Sequence, residues 1–269
     1  MLKGYKYRLH PTPVQAEFLI KTIGCARFIY NKLLEDRIAI REEAKTGSGT
    51  RRKPATVSMT KTGKFFISIL VEQDDAPWIP VEHKVGIDLG LEHFAVMTND
   101  AMVSEKIENP RFLRKSEEKV KKAQRALSRK KIGSKNREKA RLILAKRHEK
   151  IANQRKDFLH KLSRRIVDEN QVIVVETLTS KDMMQNHKLA KSIGDVSWHE
   201  FVRQLEYKSN FYGRTLIKAD QWFASTQICS ICGAKGEKKT VDVREWTCAR
   251  GAHHDRDINA SLNLLMLAD

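Results

Sequence analysis

Three carboxylates stand where carboxylates can do chemistry. Asp88 lies near the end of the apolar run Lys84-Val85-Gly86-Ile87-Asp88-Leu89. Glu176 ends the β-branched run Gln171-Val172-Ile173-Val174-Val175-Glu176, and Asp257 falls in the first turn of a helix that begins near Asp255. Singly, such acids are most often solvated; on a β-β-β-α-β-α-β-α element order they suggest one shared site. Carboxylates brought together in an α/β core repel unless a cation lies between them. Hard oxygen ligands favour Mg²⁺ or Mn²⁺. Two such ions about 4 Å apart can activate a water and stabilise the leaving oxygen of a phosphodiester. The second chemical set is sulfur: of the cysteines, Cys229, Cys232 and Cys248 cluster near the C-terminus. In a reducing compartment such a cluster reads as metal ligands rather than disulfides. Cys25, inside an apolar helical stripe, reads as core.

The elements that must position these groups are legible in outline. Residues 3–9 alternate like a strand. Thr12-Pro13-Val14-Gln15 opens a helix, with Thr12 as N-cap and Gln15 three residues on. Its stripe of Phe18, Leu19, Ile23, Ala26, Ile29 and Leu33 runs to about Arg41. Thr46-Gly47-Ser48-Gly49-Thr50 has linker composition, and two strands over 55–60 and 64–72 meet at Thr62-Gly63. Strands follow over 84–89, 94–98 and 102–107, then two basic helices broken at Gly133-Ser134, a strand over 171–176, and a helix from Trp198. Ser197 and Glu200 have capping-box spacing at that helix, and Gly213 should end it. A strand over 215–219 and a terminal helix over 255–267 complete the order.

The chain has 269 residues, 51 Lys and Arg against 33 Asp and Glu, and a formal charge of +18, with 41% hydrophobic residues. This is enough apolar content for one or two domains. No run approaches the roughly 20 apolar residues of a membrane span. The start lacks a secretory apolar region, so a cytoplasmic protein is expected. Residues 111–165 hold 22 Lys and Arg against 5 Asp and Glu, and so carry +17. A charge run alone is a solvated face or a polyanion-binding surface. Val120, Leu127, Leu142, Leu144, Ile151, Phe158, Leu162 and Ile166 add an apolar seam, which makes a docked helical hairpin the expectation. Lys121, Lys122, Arg125, Arg129, Lys130, Lys131, Lys135 and Arg137 would then grip nucleic-acid phosphates without reading sequence.

The motifs Val85-Gly86-Ile87-Asp88-Leu89-Gly90, Val174-Val175-Glu176-Thr177-Leu178 and His254-Asp255-Arg256-Asp257-Ile258-Asn259-Ala260 resemble the three RuvC motifs of the TnpB (OrfB, zinc-ribbon) proteins of insertion sequences. The basic stretches around Ser128-Arg129-Lys130 and Asp157-Phe158-Leu159-His160, and the start Tyr5-Lys6-Tyr7-Arg8-Leu9, are similar to that family too. The resemblance implies an α/β, RNase H-like RuvC nuclease domain with a basic helical-hairpin insertion. It also implies a C-terminal zinc-ribbon insertion and a small N-terminal part built of β-barrel and helix. Its expected divisions are 1–80 (helix 12–45, Gly-Ser break 46–50), 81–223 (basic insertion 111–168), 224–254 for the ribbon, and 255–269. It implies an RNA-guided DNA endonuclease, related to ancestors of type V CRISPR effectors, with Asp88, Glu176 and Asp257 as Mg²⁺-binding catalytic acids. Guide RNA from the transposon end and target DNA would be its partners, base pairing would supply discrimination, and the protein would be nucleoid-associated when bound to DNA.

Two features depart from the family. The ribbon has Cys229-Ser230-Ile231-Cys232 but only Cys248-Ala249-Arg250-Gly251 where a second Cys-x-x-Cys belongs. Structural Zn²⁺ wants four ligands, so Cys229, Cys232 and Cys248 would need His253 or His254 as the fourth. The recognition lobe is also short, either naturally or through a deletion closed at residues 46–50. The short lobe and the altered ribbon keep open a guide-directed DNA-binding protein that cuts little; a transposase joining DNA ends by itself is a third reading.

Overall fold

A computed structural model describes residues 2–40, 55–72, 79–179, 183, 185, 187–237, 239–240 and 243–268. The chain divides into two compact units, Met1–Asp75 and Ala76–Asp269.

In the first unit, β1 (Leu2–Leu9) and β2 (Ala55–Met59) both pair antiparallel with the central β3 (Phe65–Glu72). The turn between β2 and β3 holds Gly63 at φ +82°, a left-handed conformation that glycine adopts without strain. Its described strands make an open three-stranded sheet, not a closed barrel. Helix α1 (Pro13–Ile40) starts with the expected box: the Thr12 N–H donates to Gln15 Oε1 at 2.9 Å, and the Gln15 N–H to Thr12 Oγ1 at 3.4 Å. The expected stripe is a different matter, since Phe18 is 68% exposed and Cys25 is exposed rather than core. A 28-residue helix runs about 42 Å, well beyond the reach of strands of five to eight residues. The Gly-Ser break, 46–50, lies outside the described residues.

The second unit is a mixed α/β layer. Strands β4 (Lys84–Leu89), β5 (His93–Asn99), β6 (Ser104–Glu108), β7 (Val172–Val175) and β8 (Thr215–Lys218) form a sheet in the order β6-β5-β4-β7-β8. The β4–β5–β6 meander is antiparallel, whereas β7 and β8 run parallel to β4. Parallel strands covered on both faces read as continuous apolar runs, as Val172–Val175 does. One face carries α2 (Phe112–Ser128), α3 (Lys135–Glu169), α4 (His187–Val196) and α5 (Trp198–Phe211) around a core of Ile87, Phe94, Leu159, Ile166 and Phe201. There the Phe94 ring meets Phe158 and Phe201 edge-on, with centroids 5.0 and 5.1 Å apart.

The other face carries α6 (Arg256–Leu265), with Leu264 against Val174 and Ala219. Between β8 and α6 a short hairpin of β9 (Glu245–Thr247) and β10 (His253–Asp255) is formed. Helix α4 was not expected from sequence, whereas the hairpin falls in the expected ribbon. The capping box at α5 is not formed: Ser197 takes φ +59°, and its hydroxyl donates to the Gly194 carbonyl at 3.3 Å. Glu200 instead accepts from Arg203 and Gln204. Helix α4 ends one residue before α5 begins, so Ser197 must turn the chain and cannot take the extended backbone of an N-cap. Gly213, at φ +62°, ends α5 as expected. Among the described residues no helix is long and apolar enough to cross a membrane.

Candidate active site

Strand register brings the first two acids together. β4 and β7 are parallel neighbours with Ile87 opposite Val175, so Asp88 and Glu176 follow side by side at the carboxyl ends of adjacent strands. Backbones there are about 4.8 Å apart. Asp88 is 8% exposed, and the Leu89 N–H donates to Glu176 Oε1 at 2.6 Å. Asp257 comes from α6, and a glycine sets how near it lies. A Cβ at Gly86 would stand 2.9 Å from Leu265 Cα and nearer still to the Ser261 oxygen and Leu265 nitrogen. Only glycine lets α6 lie directly on β4. Thr98 of β5 adds a buried hydroxyl bond of 2.6 Å to Ser261. Asp255 caps the helix, accepting the N–H groups of Asp257 and Ile258, both at 3.0 Å, and Lys106 binds its other oxygen at 2.6 Å. Burial opposes ionisation of Asp255, but Lys106 and these N–H donors hold its pKa below the ordinary value.

The electrostatics of the site are those of crowded acids. Burial first, then repulsion from Glu176 and Asp257, raise the Asp88 pKa well above its usual value. Burial raises Glu176 to about 7, the Leu89 N–H opposing and Asp257 adding to the shift. A buried pair of acids with raised pKa values is what a divalent cation would relieve, and all donors are hard oxygens. The donor chemistry thus suits Mg²⁺ or Mn²⁺, although the three carboxylates are not gathered within 4.8 Å of one another as the cysteines are. A cleft of about 340 Å³ opens beside Glu176, lined by His199, Arg203 and Lys218 among others.

The cysteines meet in the β9–β10 region. Cys229, Cys232 and Cys248 bring their sulfurs within 4.8 Å of one another, the one such group of metal-ligand atoms among the described residues. All three are free thiols, and Cys232 and Cys248 Sγ lie 3.9 Å apart. The two histidines separate clearly. His254 is 6% exposed, with Nε2 3.1 Å from Cys229 Sγ and its ring 4.7 Å from that of Trp246, its cross-strand partner. His253 points away: its Nδ1 lies 3.3 Å from Thr247 Oγ1 and its Nε2 3.6 Å from Glu245. The missing cysteine leaves a tight turn in which the Cys248 N–H bonds the Ala252 carbonyl at 2.9 Å, with Gly251 at φ +87°.

Two asparagines, not singled out from sequence, join this cluster to the acids. Asn259 and Asn263, one helical turn apart on α6, are buried and each donate to the Ile228 carbonyl at 2.7 Å; Asn263 also donates to Ser225 O at 2.7 Å. The Ser230 N–H donates to Asn259 Oδ1 at 2.9 Å. Two amides with this spacing on an otherwise apolar face were the available signal. Arg244 was missed too. Its guanidinium lies 2.6 Å from Glu92 and 3.4 Å from Asp257.

The basic hairpin forms as expected, with Gly133 at φ +80° and Ser134 Oγ accepting the Arg137 N–H at 3.2 Å. Val120 and Ile151 are buried in it, while Leu142 is 36% exposed. The cations divide into two kinds. Arg137 donates to the carbonyls of Leu127 and Lys130 at 3.2 and 2.9 Å, clamping the helix junction, and Lys121 is paired with Glu117 at 2.9 Å. Lys122, Arg125 and Arg129 line one open concavity on α2, and Lys130, Lys131 and Lys135 are exposed around the turn.

Comparison with known proteins agrees with this arrangement. The fold is shared with a Cas12f1–sgRNA–target DNA complex (TM-score 0.51, 17% identity, 78% of this chain and 55% of that one) and with a CRISPR-Cas12f ternary complex (0.53, 19%, 88% and 48%). The chain thus shares its fold with about half of each of these two proteins. Three family models match in turn: "Helix-turn-helix domain" of the OrfB_IS605 type over residues 1–46, "Probable transposase" OrfB_IS605 over 68–187, and "Cas12f1-like, TNB domain" over 198–264. A protein of Streptomyces pristinaespiralis bearing the name "Putative RNA-guided DNA endonuclease" is 44% identical over 217 residues, 81% of this chain and 53% of the relative. InsQ of Escherichia coli K12, named in the same way, is 30% identical over 230 residues, 79% of this chain and 56% of the relative. The chain belongs to the TnpB (OrfB) family. It spans about half the length of the curated relatives it matches. The first 46 residues, matched as helix-turn-helix, here hold β1 and α1.

Proposed function

We propose that this chain is an RNA-guided, divalent-metal-dependent DNA endonuclease of a transposable element, with one RuvC-type, RNase H-like site. The observation that carries the reading is the convergence of Asp88, Glu176 and Asp257 on one buried, charge-strained end of the sheet, in a TnpB-family chain. Asp88, Glu176 and Asp257 would hold Mg²⁺ or Mn²⁺, which supplies an activated water and a counter-charge for the leaving oxygen. The protein's own part is to fix the acids: Gly86 seats α6, the Leu89 N–H orients Glu176, and the Asp255 cap starts the helix one residue before Asp257. Cys229, Cys232, Cys248 and His254 would hold structural Zn²⁺, with His254 in place of the absent cysteine. Lys122, Arg125, Arg129, Lys130, Lys131 and Lys135 would grip guide RNA and target DNA, with Arg137 shaping the turn. The working divisions are 1–80, 81–223 with the basic insertion at 111–168, 224–254, and 255–269. A second reading, guide-directed binding without cutting, is favoured by the altered ribbon, which has Cys248-Ala249-Arg250-Gly251 where a second Cys-x-x-Cys belongs. Replacing each acid by alanine tests between them: cleavage should vanish while RNA binding stays near normal, because these groups serve the transition state and not duplex affinity. Full cutting by any one variant overturns that residue's assignment.

A further inference from the structure

Arg244 stands just before β9, between the cysteine cluster and the carboxylates. Its Nη2 lies 2.6 Å from Glu92 Oε2, in the turn between β4 and β5, and its Nη1 lies 3.4 Å from Asp257 Oδ2. Its own carbonyl accepts the Arg256 N–H at 2.7 Å, at the first residue of α6. The Arg256 guanidinium in turn donates to the Thr240 and Val243 carbonyls at 3.0 and 3.4 Å. Among the described residues, Arg244 is the one cation recorded in direct contact with any of the three acids. Glu92 faces Asp257 from the turn that follows Asp88, so the guanidinium spans from one motif to another while anchored in the cysteine hairpin. A planar fork suits this task, because its nitrogens hold fixed directions.

We propose that Arg244 is a positioning residue: aimed by Glu92, it fixes the carboxylate of Asp257 for metal binding and ties that acid to the cysteine hairpin. This rests on the metal-nuclease reading above and goes beyond it in naming what orients the third acid. Outer partners of metal ligands typically govern affinity by about 10- to 100-fold. Glu92 and Arg244 carry opposite charges, so the double variant Glu92→Gln/Arg244→Gln removes the orienting contact and leaves net charge unchanged. A change in metal affinity then reports geometry rather than field.

The experiment is Mn²⁺ titration of the full chain followed by electron paramagnetic resonance, with Asp257→Asn as reference. The double variant should bind Mn²⁺ about tenfold more weakly than wild type. Arg244→Lys, which keeps the charge but loses the fork, should fall between them. Cleavage by the double variant should need more Mn²⁺ for half-maximal rate and recover most of its rate at saturation, which a merely structural loss would not do. Wild-type Mn²⁺ affinity in a folded double variant overturns the assignment. Wild-type protein that binds no Mn²⁺, or binding that Asp257→Asn leaves unchanged, is a different pattern: it overturns the metal reading itself, and this assignment with it.

Discussion

Gly86→Ala is the smallest change that strikes the proposed mechanism without touching a carboxylate. The added methyl would meet Leu265 Cα at 2.9 Å, and the Ser261 oxygen and Leu265 nitrogen more closely still. Carbon contacts are comfortable near 3.5–4.0 Å, so α6 must withdraw from β4 by on the order of 1 Å. The obstacles are backbone atoms of a packed helix, and no rotamer change removes them. Overpacking of this kind costs about 1–3 kcal/mol, which in a unit of this size lowers Tm by roughly 2–12 °C. The functional loss should persist at temperatures where the variant is fully folded. Asp88 is two residues from Gly86, and Asp257 begins the helix that must move, so the same displacement opens the carboxylate spacing. A misplacement of about 1 Å costs on the order of 100-fold in rate. The assay is cleavage rate at saturating Mg²⁺, well below the variant's Tm, with the melting curve recorded alongside. Gly4→Ala is the control, because a Cβ there meets nothing within 4 Å. If Gly86→Ala melts and cuts like wild type, then α6 does not set the site through this contact.

Three further outcomes are expected. Burial raises Glu176 to about 7 from an ordinary 4.5, so between those values the native state holds a proton that the unfolded chain has lost. Metal-free protein should therefore lose stability as pH rises through this range, by up to about 3 kcal/mol. Glu176→Gln should lessen that slope, with buried Asp88 keeping part of it, and melt above wild type at pH 8; parallel melting profiles would contradict it. Purified protein should carry about one zinc per chain, and His254→Ala should lose it while His253→Ala keeps it, because His254 lies against Cys229 and His253 does not. Elemental analysis finding no zinc, with three titratable thiols in the cluster, would refute the ribbon assignment. Neutralising Lys122, Arg125 and Arg129 should weaken binding to all sequences alike, flattening the log-affinity against log-salt slope by about 0.7–0.9 per lost phosphate contact. An unchanged slope would make this face merely solvated.

Much of this was legible in the residues, and what escaped has physical reasons. The strands over 84–89 and 172–175 announce themselves as apolar runs, and the basic hairpin shows its break at Gly133 and Ser134. Proximity of Asp88 to Glu176 follows once β4 and β7 pair in parallel, and sequence alone leaves that register open. The capping boxes show how context decides: Thr12 and Gln15 have an unconstrained entry and form theirs, whereas Ser197 sits between abutting helices and cannot. The α1 stripe misleads: the helix is only weakly amphipathic, and Phe18 and Cys25 stand exposed on it. His253 and His254 are equivalent in the sequence, and cross-strand pairing of His254 with Trp246 turns one inward. Arg244 was illegible because a long side chain spanning to Glu92 and Asp257 leaves no periodic trace.

The central claim is that this chain cuts DNA where a bound RNA directs it. The most direct measurement is to load the full chain with the RNA that copurifies with it, supply Mg²⁺, and map cleavage on two DNAs. One DNA matches the guide segment, and the other matches only after that segment is rewritten. The expected result is cutting of whichever DNA matches the loaded guide, none without RNA, and none by Asp88→Ala. Cleavage that ignores the guide, or matched DNA that is bound by the loaded wild-type protein and left intact, would contradict it.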